Sequence, residues 1–205
     1  MAQISTGIRK ILEVPAIYTW LQNVLGAEKS RKEIVTKYLD IKSGMSILDV
    51  GCGPGDLLPF LPNAVEYVGF DFENSYIEKA RKRFGEQGSF VCEDVTRFDF
   101  GEKKFDRVII IGVLHHLETE QIEILFKKIQ NVLNPDGFLL CFENVYVQGQ
   151  HPIARYMISK DRGQNVRDVD GYLSICRNFF NGVEHFIRHD MLRIPYTHIL
   201  IKCKN

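Results

Sequence analysis

Ile47-Leu48-Asp49-Val50-Gly51-Cys52-Gly53-Pro54-Gly55-Asp56 decides the fold of this chain. An apolar run ends in an acid, and three glycines follow at alternate positions. Such a run reads as a parallel strand buried on both faces. Glycines at its end let a ligand approach the main chain where a side chain would collide. Strand, glycine loop and a following helix, expected near Asp56 to Leu61, together make a nucleotide-type cradle.

Working outward, strands are expected at Ser46 to Val50, Glu66 to Asp71, Ser89 to Cys92, Phe105 to Ile111 and Phe138 to Phe142. Val108-Ile109-Ile110-Ile111 is too continuous to have a wet face. Helices are expected at Arg31 to Leu39, from Ser75 (with Glu78 at capping-box spacing), and over Thr119 to Leu133. Asn134-Pro135-Asp136-Gly137 reads as a turn. Strands alternating with helices imply a parallel sheet covered on both faces. A helix at Val169 to Phe180 precedes strands at Val183 to His189 and Tyr196 to Cys203. Their short link joins only antiparallel neighbours.

The 205 residues suit one α/β domain, here taken as residues 1–205 with a helical segment over 1–40. Lys plus Arg equals Asp plus Glu at 26 each, which argues against broad nucleic-acid binding. Cys52, Cys92, Cys141, Cys176 and Cys203 form no CxxC pair, so reduced thiols in a cytoplasmic protein are expected and a metal site is not. No segment is long and apolar enough to span a bilayer. Ile17, Trp20, Leu21, Val24 and Leu25 make one helical face that docks on its own domain.

Asp71 ends the second strand 20 residues after Gly51, where an acid can accept both ribose hydroxyls. Dinucleotide dehydrogenases share this pair, but their third glycine stands five positions after the first. Here that position is Asp56, whose charge would repel a pyrophosphate. The cradle therefore suits a ligand without phosphates and preferably a cationic one.

From Ile47 to Phe142 the sequence resembles the class I S-adenosylmethionine-dependent methyltransferases. Asp49 to Gly55 resembles the family's first motif, Phe70-Asp71-Phe72 its ribose motif, and Cys92-Glu93-Asp94-Val95 its adenine segment. Phe105-Asp106 through Leu114-His115-His116-Leu117 resembles the fourth-strand motif. Asn134 to Gly137 resembles the turn before the fifth strand, with Asp136 a mild departure.

The resemblance implies a doubly wound Rossmann-like sheet of order 3-2-1-4-5-7-6 with strand 7 antiparallel. It also implies S-adenosylmethionine as methyl donor and S-adenosylhomocysteine as product. The methionine part would lie along Gly51, Cys52, Gly53 and Gly55, with Asp49 setting the cationic end. Asp71 would hold the ribose, Asp94 and Val95 the adenine, and Phe72 would pack on it. Gly112 and Leu114 would approach from the fourth strand.

His115, and less so His116, are candidate general bases just beyond that strand. Residues 144–170 hold Tyr146, His151, Arg155, Tyr156, Lys160, Asp161, Arg162 and Arg167, and read as a lid or acceptor insertion. Arg155 and Tyr156 are its candidate acceptor contacts, and its arginines favour an acidic acceptor. His189, Arg193, Tyr196 and His198 read as structural. Tyr18, Gln22 and Arg31 are candidate contacts from the amino-terminal segment. The expected acceptor is a small molecule or glycan rather than protein or RNA, because no basic run or Asn/Asp-Pro-Pro-Tyr/Phe motif follows the fourth strand. The rivals are an NAD-dependent oxidoreductase and a non-catalytic adenosylmethionine-binding module.

Overall fold

The computed structural model describes residues 26–161 and 163–205. Ile17, Tyr18, Trp20, Leu21, Gln22, Val24, Leu25 and Arg162, assigned roles above, lie outside the described residues.

A seven-stranded sheet has the order β3-β2-β1-β4-β5-β7-β6, as expected. The strands are β1 (Ser46–Val50), β2 (Glu66–Asp71), β3 (Ser89–Cys92), β4 (Phe105–Ile111), β5 (Leu133–Asn144), β6 (Gly182–Arg188) and β7 (His198–Lys204). The pairings β1–β2, β1–β4, β2–β3 and β4–β5 are parallel, whereas β7 runs antiparallel to both β5 and β6.

The helices are α1 (Ala27–Ile34), α2 (Asn74–Phe84), α3 (Thr119–Val132), α4 (Pro152–Ser159) and α5 (Val169–Phe179). The last turn of the first helical segment widens over Val35–Leu39 and ends at Asp40 in a left-handed conformation.

Alternation along each strand splits the core into two layers. Val108, Ile110, Leu139 and Cys141 face Ile122, Phe126, Ile129 and Cys176 of α3 and α5. Ile47, Ile109 and Leu140 face the other way, onto Ile34 of α1 and Ile77 of α2. Ile109 and Ile110 are fully buried on opposite faces, which explains the unbroken apolar run of β4. Each such side chain contributes about 1.5–3 kcal/mol of burial. All five cysteines are free thiols, and Cys92 alone of them is exposed.

Three local expectations are corrected. No α-helix follows the glycine loop; turns lead into a single 3-10 turn at Leu58–Phe60. Pro59 sits at its start and Pro62 follows Leu61, whose extended ψ of 149° is what a residue before proline adopts. Helix α2 is capped by Glu73, whose carboxylate accepts from the Ser75 N–H, so Ser75 lies inside it. Asn134 to Gly137 is a bulge within β5, between the Phe105–Leu133 and Arg107–Phe138 pairs.

Candidate functional site

The carboxyl ends of β1, β2 and β4 meet at one rim of the sheet. The Gly51 and Cys52 N–H groups both donate to Phe70 O, at 2.7 and 2.9 Å, which lashes the glycine loop to β2. Gly51 has φ 76°, and a Cβ there would stand 2.3 Å from Val113 Cγ2. Gly53 has φ 53°, and among the described residues no heavy atom lies within 4 Å of where its Cβ would be. Gly51 therefore closes the loop against β4, while Gly53 opens onto free space.

Two carboxylates form the floor. Asp49 is buried, and its Oδ2 accepts from Tyr67 Oη at 2.6 Å. Burial raises its pKa to about 7, against the Tyr67 hydrogen bond and with help from the Asp71 charge. Asp71 accepts from Gly53 N at 3.0 Å and Glu73 N at 2.9 Å. Burial raises its pKa too, with those N–H groups opposing. Arg31 acts on Asp49 through space, but burial and the neighbouring Asp71 charge dominate, so a cation entering the cradle meets net negative charge.

Asp56 behaves differently. Arg83 pairs with it at 2.7 Å and Arg31 at 3.6 Å. Its charge is largely balanced, so it is not the feature that disfavours a pyrophosphate. The missing helix N-terminus and the Asp49–Asp71 floor do that instead.

Cys52, Val95 and Leu114 have buried side chains, and the Cys52 and Leu114 N–H groups already donate to Phe70 O and Glu143 Oε1. Gly112 donates its N–H to Phe142 O at 2.9 Å and stands at the end of β4. Phe72 is 55% exposed, its ring free on the rim. Asp94 turns Oδ1 to Thr96 N and Oγ1, at 2.9 and 2.7 Å, with Oδ2 near Arg97.

A second cluster lies where β4 and β5 end. Glu143 is fully buried and its Oε1 accepts from Val113 N and Leu114 N, both at 2.8 Å. Its Oε2 meets His115 Nδ1 at 2.6 Å, and His115 Nε2 meets Asp161 Oδ1 at 3.2 Å. Burial pulls the His115 pKa down, but the two carboxylates outweigh it and push it up to about 10. Burial pushes the Asp161 pKa up, but the His115 hydrogen bond and charge bring it down to about 2. His116 stacks beside this ring, centroids 4.1 Å apart. Tyr196 Oη donates to Asp161 Oδ2 at 3.3 Å. Since a carboxylate cannot donate, that hydroxyl accepts from Asn144 Nδ2 at 3.3 Å.

Residues 144–170 fold back on this cluster. Asn165 N donates to His115 O at 3.0 Å. Arg167 donates to Leu114 O, Asn165 O, Leu117 O and Thr119 Oγ1. Arg167 is thus spent on holding the segment down. A cleft of about 760 Å³ lies under it, lined by Tyr146, Arg155, Asp168 and Ser174 among others. A smaller one, about 230 Å³, is lined by Tyr146, Asp161, Gly163 and Gln164. Arg155 places its guanidinium 5.4 Å from the Tyr146 ring centre. Tyr156 is 64% exposed and lines neither cleft. His198 stacks on Phe142 at 4.5 Å, and burial pulls its pKa down to about 3.

Gly163 is pinned against His115: a Cβ there would stand 2.0 Å from His115 Cδ2 and 2.7 Å from His115 O. Gly163→Ala should therefore push the segment off the rim. Faster proteolysis within residues 160–168 checks this, and an unchanged cleavage rate would contradict it.

Sequence reasoning misses Glu143 and Tyr67, and names Asp161 only as one residue of the 144–170 segment. Glu143 carries a legible signal, because it ends an apolar strand in an acid as Asp49 and Asp71 do.

Residues 47–137 match the family described as "Methyltransferase domain". The human "Probable tRNA methyltransferase 9B" is 37% identical over 102 residues, 49% of this chain and 22% of that protein. "Demethylmenaquinone methyltransferase" of Staphylococcus aureus is 29% identical over 134 residues, 62% of this chain and 55% of that protein. The chain thus spans about half or less of the length of these curated relatives. Magnesium protoporphyrin IX methyltransferase from Synechocystis, solved with bound SAH, superposes with a TM-score of 0.67. It is 17% identical and is covered over 97% of this chain and 98% of its own, a likeness of fold.

Proposed function

We propose that the chain, whose residues 47–137 match the methyltransferase domain family, is a class I S-adenosylmethionine-dependent methyltransferase that holds S-adenosylmethionine in the Gly51–Gly55 cradle and methylates a small molecule or glycan. The observation that carries this reading is the space at Gly53, open among the described residues, above the floor made by Asp49 and Asp71. Adenosylmethionine has a sulfonium and an ammonium but no phosphate, so it suits that floor. When bound, it supplies a methyl group already activated by positive sulfur.

The residues of this chain bind, orient and exclude water. Asp71 takes the ribose hydroxyls, and Phe72 with the Asp94–Val95 backbone holds the adenine. Asp49 sits beneath the methionine end, beside Gly51, Cys52 and Gly53. The Gly112 and Leu114 backbone closes the side toward β4. Positioning the acceptor supplies much of the rate, because sulfonium charge is lost on the way to the transition state.

His115 has both ring nitrogens engaged by carboxylates. A ring so held has no lone pair to take a proton, so we assign it positioning of the 144–170 segment instead of the base role expected from sequence. His116 stands beside it at the same rim. The acceptor enters beside Tyr146, with Arg155 over the larger cleft and the exposed Tyr156 at its margin. Arg167 is occupied by its own backbone contacts, which weakens the case for an acidic acceptor.

Asp49 gives this reading a pH signature. Its pKa of about 7 lies above the usual carboxylate value, so the proton is held more tightly in the free folded protein. A cation prefers the ionised acid. Affinity for adenosylmethionine should therefore rise with pH up to about 7 and level off above it. The slope below that point is at most about tenfold per pH unit. Calorimetric titrations at pH 6 and pH 8 check this, and Asp49→Asn should flatten the profile.

Incubation with methyl-labelled adenosylmethionine tests the acceptor. Label is expected in the small-molecule or glycan fraction. Label in tRNA instead, the acceptor class in the name of the human relative, would overturn that part of the reading.

A further inference from the structure

We infer that His115, His116 and Asp161 form a binding site for a divalent transition ion of the Zn²⁺ or Co²⁺ type. This site is set by side-chain geometry alone and is independent of methyl transfer. One donor atom from each residue lies within 4.8 Å of the other two. His115 Nε2 and Asp161 Oδ1 are 3.2 Å apart. Two bonds of about 2.0–2.1 Å meeting near the tetrahedral angle set donor atoms about 3.3 Å apart. That pair already spans one edge of a coordination shell, and a His116 nitrogen lies within 4.8 Å of both its atoms.

Two of the donors are oriented from behind. Glu143 accepts from His115 Nδ1 at 2.6 Å, which turns Nε2 toward the site. A carboxylate behind a ligating imidazole is the common supporting arrangement of metal-bound histidines. Tyr196 Oη donates to Asp161 Oδ2 at 3.3 Å, leaving Oδ1 toward His115. The rest of the molecule therefore fixes the tautomer of one ligand and the rotation of another.

The charges agree. Glu143 and Asp161 bring two negative charges to a rim where His115 and Asp161 side chains are only 8% and 25% exposed. One imidazolium leaves that group at −1, whereas a divalent ion with neutral histidines brings it to zero. On entry, the ion replaces the proton on His115 Nε2, which leaves to solvent. Two imidazoles and one carboxylate favour zinc, cobalt, nickel or ferrous iron over magnesium or calcium, which take oxygen shells. Three protein ligands leave a further position for water or a ligand oxygen. Asp161 also lines the smaller cleft, so the site lies beside it.

The test uses the whole chain and the metal alone. Chelator-treated protein is titrated with Co²⁺ by visible absorption and with Zn²⁺ by calorimetry. One ion per chain is expected, and His116→Ala should weaken binding at least about tenfold. Cys92→Ser, which removes the exposed thiol, should leave binding unchanged. Asp161→Asn should weaken it as His116→Ala does; if that variant fails to fold, His116→Ala alone decides. Absence of saturable binding overturns the inference. So does saturable binding that His116→Ala leaves intact.

Discussion

Glu143→Ala is expected to destabilise the protein by about 3–5 kcal/mol. One carboxylate satisfies the Val113 and Leu114 amides and the His115 ring, with its side chain fully buried. Removing it leaves two amides unpaired and a buried imidazolium with one carboxylate fewer. An unsatisfied buried donor costs about 1–3 kcal/mol, more when charged. For a chain of 205 residues, each kcal/mol moves the midpoint by about 2–4 °C. The melting temperature should therefore fall by about 6–20 °C. Glu143→Gln keeps an acceptor oxygen for the amides and should fall less. An alanine variant melting within about 2 °C of the parent would mean that this cluster does not hold the rim together.

Asp71→Ala is expected to lower affinity for S-adenosylhomocysteine by about 10²–10⁴-fold. A hydrogen bond to a charged group contributes about 1.5–3 kcal/mol, and the ribose offers two hydroxyls to this acid. The loop itself also loses an anchor, because Asp71 accepts from Gly53 N and Glu73 N. The fold should survive, since Asp71 is partly exposed and closes no core layer. Calorimetry for binding and a melting curve for stability separate the two effects. Binding within about threefold of the parent, about 0.7 kcal/mol, would remove Asp71 from the site.

Most strand ends are legible in the sequence because each strand is a short apolar run closed by a polar or glycine signal, whereas the sheet order comes from the family resemblance. β1, β2, β3 and β4 begin and end at the residues expected. The α-helix expected after the glycine loop is cut to a single 3-10 turn, with Pro59 at its start and Pro62 holding Leu61 extended. The turn at Asn134 to Gly137 was recognised by composition, but only pairing with β4 makes it a bulge.

The candidate cradle residues Gly53, Asp71 and Gly112 lie at or just beyond the carboxyl ends of β1, β2 and β4, where the parallel pairing of these strands brings them to one rim. The Glu143–His115–Asp161 chain was not legible in the sequence. Its members come from three separate segments, and the segment holding Asp161 has no periodicity to place it. Asp56 was legible as an acid but not as one already paired, since Arg31 and Arg83 reach it only in three dimensions.

The most direct measurement of the central claim is a calorimetric titration of the unmodified protein with S-adenosylhomocysteine and, separately, with NAD. One site for S-adenosylhomocysteine and no heat from NAD is the expected result. Saturable binding of NAD without binding of S-adenosylhomocysteine would contradict the assignment of the Gly51–Gly55 cradle.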